Sequence, residues 1–552
     1  MEEDNMITLT LGDWLYNSGL VGFIKILEYA KEEVIYKEQE ILFNVKALDN
    51  FEEKYFNYFI NKYEKKLSWS KIVSFKESID NWEQENFNNF NEVSLNNLND
   101  KIDFFKKVIK SNSHVAAYEL ITEKKDILKL EKQLKKIKLK KKEKIADRLE
   151  EIKEVIKLIK EIIDFYSLEE SKKFISAKNI IYTVIKNAWE GVSFLNTQAK
   201  EKDMYKNYKN YFLEECREYL NVDKEKYIYN CSTCNRPIKN LDIEMNFLNN
   251  MGFDSSRKPS TVWNYNNDIS ICPLCRLVYS CVPAGFIYVY DKGVFVNNNS
   301  NIKDLVRIAD KIEIEILKEE SFNSNTTFKS LISALIKENN SSVKYELADI
   351  QVVRYESGKY RFNLLSKQML EVLYNSKEEL NRIIMAGYKD GDLYNRLYEM
   401  TIKKLLNNEN LFLLIHKLFI IKMKDNNKEV YFNCKEIQEI IKINFNFLKG
   451  AGYMEGQEKN ILKTYSGAGY YLKLEYLKKG SENKLNGIAY KLLNALKTNN
   501  QGMFMDVIIN CYLYTGKQIP GFFTDCLKDT VNLKTIGYAF VSGLVDGESY
   551  SK

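Results

Sequence analysis

Ile7, Leu9 and Leu11 of "ITLTL" alternate with polar residues, the period of a half-buried strand, and an apolar helical stretch runs on from Leu20. Between them lies "GDWLYNSG", so the pattern predicts a strand, a glycine-punctuated turn and a helix, with Gly12 and Gly19 supplying backbone freedom. From Phe51 to about Phe105 the spacing stays helical, rich in Asn and aromatics. Between Ile127 and Ile163 apolar residues recur mostly every three or four positions. That predicts a long amphipathic helix, or a helical hairpin, with a coiled-coil-like seam. Ala177 to Asn230 reads as helical around "NIIYTVIKNAWEGVSFLNTQAK".

The period then shortens to two. "AGFIYVYDKGVFVNN" predicts a hairpin about Asp291, Lys292 and Gly293, and "IQVVRYESGKYRFNLL" a second one turning at Ser357 and Gly358. From about Leu365 the pattern is helical again, with "NRLYEMTIKKLLNNENLFLLIHKLFIIK" the clearest stretch and with "LKGAGYMEGQ" and "YSGAGYY" read as glycine interruptions between helices. No fixed-period repeat is visible. The fold class expected is α+β and multidomain. Residues 1–225 form a mixed N-terminal region with long amphipathic helices, 226–364 a zinc-binding α+β region, and 365–552 a C-terminal helical bundle.

Composition changes this picture little. A chain of 552 residues exceeds one hydrophobic core, and 45% hydrophobic content argues for folded domains. A net charge of +6 permits an acidic partner without demanding one. The start, "MEEDNMITLTLGDW", is acidic where a signal peptide is basic, and "LFLLIHKLFII" is too short to span a bilayer, so a cytoplasmic protein with no membrane partner is expected. Within the seam lies "KKIKLKKKEK", Lys135 to Lys144, seven lysines and one glutamate. It reads as a solvated helix face or hairpin tip. The competing reading is sequence-independent contact with a phosphate backbone.

The chemistry concentrates in cysteine. "CSTC" supplies Cys231 and Cys234, and beyond 37 intervening residues "CPLC" supplies Cys272 and Cys275. Two Cys-x-x-Cys turns offer four thiolates to one tetrahedral ion, so a single structural Zn2+ is expected at Cys231, Cys234, Cys272 and Cys275. Each doubling of a loop adds only about 0.6 kcal/mol of closure entropy, so the long interval is no obstacle. A four-thiolate shell leaves no position for substrate, which makes a catalytic role for this ion unexpected. Cys216, Cys281, Cys434, Cys511 and Cys526 read as core residues, Cys281 doubling as an accessory-ligand candidate. His114 and His416 lack a following Asp or a second His at ligand spacing, and "YTGKQ" lacks the rest of a phosphate-binding loop. No catalytic residues are assigned.

In order along the chain, "LTLGDWLYNSGLVGFIKIL", the "CSTC" and "CPLC" pairs, "AYKLLNALKTNNQGMFMDVIINCYLYTGKQIP" and "IGYAFVSGLV" resemble the large subunit of the type I-B CRISPR Cascade surveillance complex, in its Tneap variety. The resemblance runs from Leu9 to Leu544. It implies a non-catalytic subunit that helps hold the 5′ end of a guide RNA, probes double-stranded target DNA for a protospacer-adjacent motif, supports R-loop opening and recruits a helicase-nuclease. Its partners would be the Cascade backbone and small subunits. The helical C-terminal part resembles the small subunit, and Met385, Met400 and Met423 precede helical stretches suited to internal translation.

Amide and guanidinium side chains read base edges, which makes Asn196, Gln198 and Lys200 of "SFLNTQAK", and Arg257, Lys258 and Trp263 between the cysteine pairs, the DNA-binding candidates. Trp14, Tyr16 and Asn17 are candidates for contact with guide RNA or a neighbouring subunit. Two readings from other classes remain: an independent zinc-containing RNA- or DNA-binding protein, and a nucleic-acid enzyme with unrecognised carboxylates.

Overall fold

The structure is a computed structural model that describes residues 5–140, 143–251, 269–289, 292–298, 301–317, 350–356, 358–424, 429–454 and 456–546. The chain divides into two compact units, Met1–Ala309 with Arg354–Arg361, and Asp310–Val353 with Phe362–Lys552.

In the first unit β1 (Met6–Thr10) pairs antiparallel with β3 (Glu40–Asn44), Met6 opposite Asn44 and Thr10 opposite Glu40, and β3 also pairs with β2 (Val34–Tyr36). Leu9, Ile41 and Phe43 of this sheet are buried, as period-two alternation requires. Helix α1 (Trp14–Tyr29) starts six residues before Leu20, because the Asp13 carboxylate accepts the Tyr16 amide at 2.8 Å and caps it. The predicted turn therefore shrinks to Leu11–Asp13. Gly19 lies inside the helix. A Cβ there would stand 2.5 Å from the Val278 carbonyl oxygen, and one on Gly22 2.0 Å from that of Cys281. These glycines serve close helix contact rather than a turn.

Helices α2 (Phe51–Tyr63), α3 (Ser68–Val73), α4 (Phe75–Gln84), α5 (Glu92–Ile109), α6 (Asn112–Tyr118), α7 (Ile127–Gln133), α8 (Leu149–Tyr166) and α9 (Glu169–Thr183) follow. Ile72, Phe75, Leu98, Ile102, Ile156 and Ile159 are among the side chains that share one core. Of the two readings for 127–163, one long helix or a helical hairpin, the described residues show two helices, with the non-helical ribbon Leu134–Lys140 between them. The cause lies in α5. The Asn99 amide donates to the Ile137 carbonyl and accepts the Ile137 amide, both at 2.9 Å, and the Lys106 ammonium donates to the Leu134 carbonyl at 2.9 Å. Side chains of α5 thus replace intrahelical bonds. The helical reading of "NIIYTVIKNAWEGVSFLNTQAK" likewise ends at Thr183, where a 3-10 turn begins at Ile185 and Trp189 buries itself, donating to the Ser280 carbonyl at 3.1 Å.

Helix α10 (Met204–Tyr208) runs through a π turn, Lys209–Glu214, into α11 (Glu215–Asn221). The two-residue strands β4 (Tyr229–Asn230) and β5 (Pro237–Ile238) pair around the first cysteine turn. Helices α12 (Pro273–Ser280) and α13 (Val282–Gly285) carry the second pair onto α1. The hairpin predicted after them is present as β6 (Ile287–Val289) and β7 (Lys292–Asn297), in register Tyr288 to Gly293. Lys292 and Gly293 are strand rather than turn residues, opposite Val289 and Tyr288, and a Cβ on Gly293 would meet the Tyr288 ring at 2.7 Å. Helix α14 (Ile302–Leu317) and the second predicted hairpin, β8 (Ile350–Glu356) and β9 (Lys359–Leu365), complete this stretch. Gly358 has φ +77° at the turn, and the sheet order is β6-β7-β8-β9.

From Lys367 on, the described residues of the second unit are helical apart from a small antiparallel sheet, β10 (Gly387–Asp390) between β11 (Leu393–Arg396) and β12 (Val430–Tyr431). Its helices are α15 (Lys367–Asn375), α16 (Lys377–Arg382), α17 (Leu397–Leu406), α18 (Phe412–Met423), α19 (Cys434–Gly450), α20 (Ile461–Lys478), α21 (Leu485–Lys497), α22 (Gln501–Thr515) and α23 (Thr530–Asp546). The long stretch predicted near residue 400 breaks between α17 and α18, where Asn408 takes φ +57° and the Asn444 side chain caps the Leu411 amide at 2.6 Å. "LKGAGYMEGQ" separates helices as predicted, but "YSGAGYY" lies within α20. There a Cβ on Gly469 would stand 2.0 Å from the Phe540 carbonyl oxygen, so that glycine admits α23. The fold class is α+β and multidomain, with the four cysteines in the central region and a helical C-terminal part. Among the described residues no helix is long and apolar enough to cross a membrane.

Candidate metal centre

Each cysteine pair sits on a different local device. The first is a knuckle: the Cys231 amide donates to the Arg236 carbonyl at 2.8 Å, the Asn235 amide to the Cys231 carbonyl at 2.9 Å, and Asn235 takes φ +59° to close the turn. The second is a helix start. Cys272 is the N-cap of α12, its sulfur accepting the Cys275 amide at 3.3 Å, with Pro273 in the first turn where no amide is needed. The Ser232 amide donates to the Ser270 carbonyl at 2.9 Å, and the Ser232 hydroxyl donates to that same carbonyl at 2.9 Å, clamping the two devices together.

The four ligand sulfurs lie within 4.8 Å of one another, and Cys234 Sγ is 3.6 Å from Cys272 Sγ. A tetrahedral zinc with Zn–S near 2.3 Å has sulfur–sulfur edges of about 3.8 Å, so the donor set fits that ion. Cys231, Cys272 and Cys275 are buried and Cys234 is half-buried. The Cys234 thiol is held far down by hydrogen bonds from Cys231, Cys272 and Cys275, while Cys275 is pushed up, first by its hydrogen bond with Cys231. Four thiolates so close require a divalent charge between them. The cluster is a zinc-binding-like four-cysteine site.

Two arginines that the sequence reading left out stand beside it. Arg236 donates to the Thr8 carbonyl, which ties the knuckle to β1. Burial, the largest single influence, lowers its pKa, but the charge of Cys234, the hydrogen bond to Cys234 and the charges of Cys272 and Tyr16 together raise it. Arg276, the residue after the last ligand, pairs with Glu215 at 2.6 Å and lies 4.5 Å from the Tyr211 ring centroid. Arg236 faces a set that is doubly negative once zinc is bound, and Arg276 anchors α12 beside it. The only sequence signal was position, each lying within two residues of a ligand. Cys281 is not part of the cluster, its thiol donating to the Leu277 carbonyl at 3.5 Å.

Residues 224–287, which hold both cysteine pairs, match the family model described as CRISPR-associated protein (Cas_CXXC_CXXC). The match supports a CRISPR-associated protein. No curated protein and no solved structure matches the chain.

Of the nucleic-acid candidates, Asn196, Gln198 and Lys200 are exposed on one loop. The Asn196 side chain accepts the Gln198 amide at 2.9 Å, and Phe194 just before them packs on Trp189 with ring centroids 5.1 Å apart. This is a polar tip on an aromatic base. Arg257, Lys258 and Trp263 lie outside the described residues. Trp14 is half-buried, whereas Tyr16 and Asn17 are buried. The Asn17 amide donates to the Gly12 carbonyl and to Asn297 Oδ1, both at 3.0 Å, and the Tyr16 ring meets Tyr279 edge-on at 5.5 Å. Burial first, then the charges of Cys275, Cys234 and Cys272, raise the Tyr16 pKa well above the ordinary phenol value.

Proposed function

We propose that this chain is the non-catalytic large subunit of an RNA-guided DNA surveillance complex of the type I-B Cascade kind, in its Tneap variety. The observation that carries the reading is the CRISPR-associated match over 224–287, which falls on the four-cysteine cluster. In this reading the zinc is a fastener. Its closed shell tethers both ends of the segment holding Arg257, Lys258 and Trp263, and the exposed Asn196, Gln198 and Lys200 offer a second set of groove-reading groups. Guide pairing supplies sequence specificity, so the protein needs only a short duplex reader. The guide 5′ end and the backbone subunits are met near Trp14, with Tyr16 and Asn17 shaping the turn behind it. The helical part from residue 365 takes the small-subunit-like role, and the assembled complex recruits a helicase-nuclease.

The test is to copurify the complex on a guide RNA and compare its affinity for target duplexes with and without the adjacent motif. Replacing Asn196, Gln198 and Arg257 together by Ala is expected to cut that discrimination ten- to a hundredfold, since a good base-edge contact gives about 1–3 kcal/mol of discrimination. Unchanged discrimination would remove these residues as readers. Failure to copurify with guide RNA and backbone subunits would overturn the assignment itself.

A further inference from the structure

The lysine run is left unused by that reading, and its described part, residues 135–140, is not helical. Ribbon Leu134–Lys140 is pinned at two buried side chains, Leu134 and Ile137, which belong to the core of α5 and α8. Its backbone is held by Asn99 and Lys106 as described above. Acidic groups beside it are already engaged: Asp103 pairs with Lys136, and Glu143 takes the Lys140 amide at 2.8 Å and the Arg148 guanidinium at 2.7 Å. Lys132, Lys135, Lys138 and Lys140 all project into solvent. The chain has given up helix here and uses buried residues and polar side chains to present ammonium groups on a fixed backbone.

We propose that ribbon Leu134–Lys140 is a sequence-independent contact for the phosphate backbone of duplex DNA. Lysine fits this because it meets phosphate as a point charge and carries no base-reading geometry. The duplex rather than the single strand is indicated by side-chain type. From Lys129 to Lys144 there is no aromatic residue, so the ribbon offers no platform on which unpaired bases could stack. Its role would be to hold the duplex while the reader loop samples it. The inference rests on the reading that this chain meets target DNA.

The test uses the isolated full-length chain and fluorescence anisotropy with two 30-base-pair duplexes of unrelated sequence and one 30-nucleotide single strand, from 50 to 200 mM salt. The triple variant K135Q/K138Q/K140Q is expected to bind both duplexes about tenfold or more weakly. Its log–log salt dependence should be shallower by about 2.7, because each phosphate contact contributes about 0.9 to the slope. Variant N99A keeps every lysine but frees the ribbon, and is expected to lose part of the affinity with little change in slope. Unaltered duplex affinity and slope in the triple variant, with an unaltered melting temperature, would overturn the proposal. So would a loss confined to the single strand. Because no guide or adjacent motif is present, a failure here leaves the motif-reading test untouched, and the converse also holds.

Discussion

At the scale of single residues, His114 shows how a group that reads as a catalytic candidate by type is fixed in another role by its partners. Its Nε2 lies 2.8 Å from the Ser68 hydroxyl and its Nδ1 2.8 Å from the Tyr166 hydroxyl, which in turn meets the Tyr118 hydroxyl at 2.7 Å. Tyr118 donates onward to the Ile109 carbonyl at 3.0 Å. This is a closed structural chain among α3, α5, α6 and α8. Burial lowers the His114 pKa from 6.5 to about 4. In the unfolded chain the imidazole gains its proton near pH 6.5 and in the folded chain only near pH 4, so between these values the unfolded state binds more protons. Stability is therefore fully present above pH 6.5 and is lost as the pH falls toward 4. The loss approaches about 3 kcal/mol, at 1.36 kcal/mol per unit. His114→Gln removes the titration, and its stability measured by urea unfolding should fall less steeply than the wild type's between pH 7 and pH 4. Parallel pH profiles would contradict this. The cysteine ligands were legible because a Cys-x-x-Cys turn encodes its chemistry within four residues. Arg236 and Arg276 were not, since nothing local marks an arginine as facing a thiolate or anchoring the ligand helix.

At the scale of elements, the glycines separate what a local pattern can tell from what packing decides. The strand at "ITLTL", both central hairpins and the helical C-terminal part follow from periods of two and 3.6, and the structure keeps them. Three of the departures from the pattern share one cause: "GDWLYNSG", "YSGAGYY" and the seam after Ile127. In each the deciding group is distant in sequence, namely the Val278 and Cys281 carbonyls, the Phe540 carbonyl, and the Asn99 amide. A glycine in a helix reads the same whether it faces solvent or another backbone. Helix α20 holds one of each kind two residues apart. Nothing lies within 4 Å of a Cβ added to Gly467, whereas one on Gly469 would stand 2.0 Å from the Phe540 oxygen and one on the facing Gly543 1.7 Å from that of Ser466. Gly467→Ala should thus stabilise by up to about 1 kcal/mol through helix propensity. Gly469→Ala must force α20 and α23 apart and should cost about 1–3 kcal/mol or more. Thermal unfolding midpoints of the two variants should move in opposite directions. Equal shifts would mean that the helices do not pack backbone to backbone.

For the whole molecule, the zinc-binding-like site serves as a joint rather than an isolated finger, which decides how far the effect of losing the metal spreads. Structural zinc contributes on the order of 10–16 kcal/mol in small peptides, comparable with the roughly 5–15 kcal/mol that stabilises a whole domain. Loss of the ion is therefore too large for its loops alone to absorb. The path outward is set by contacts: Cys272 caps α12, α12 and α13 lie directly against Gly19 and Gly22 of α1, and Arg236 ties the knuckle to Thr8 of β1. These elements all belong to the first unit, while α20 and α23 are held by their own core in the second. Removing zinc with a strong chelator should raise amide hydrogen exchange first across 224–251 and 269–287. The increase should then reach α1 and β1, while α20 and α23 keep their protection. Exchange confined to the cysteine loops would mean that α12 holds its place on α1 without the metal. Exchange rising equally in both units would mean that the two do not unfold separately. The intermediate outcome, confined to the first unit, is the one expected of a metal that fastens the site-bearing part of the chain and leaves the helical C-terminal part to fold on its own apolar core.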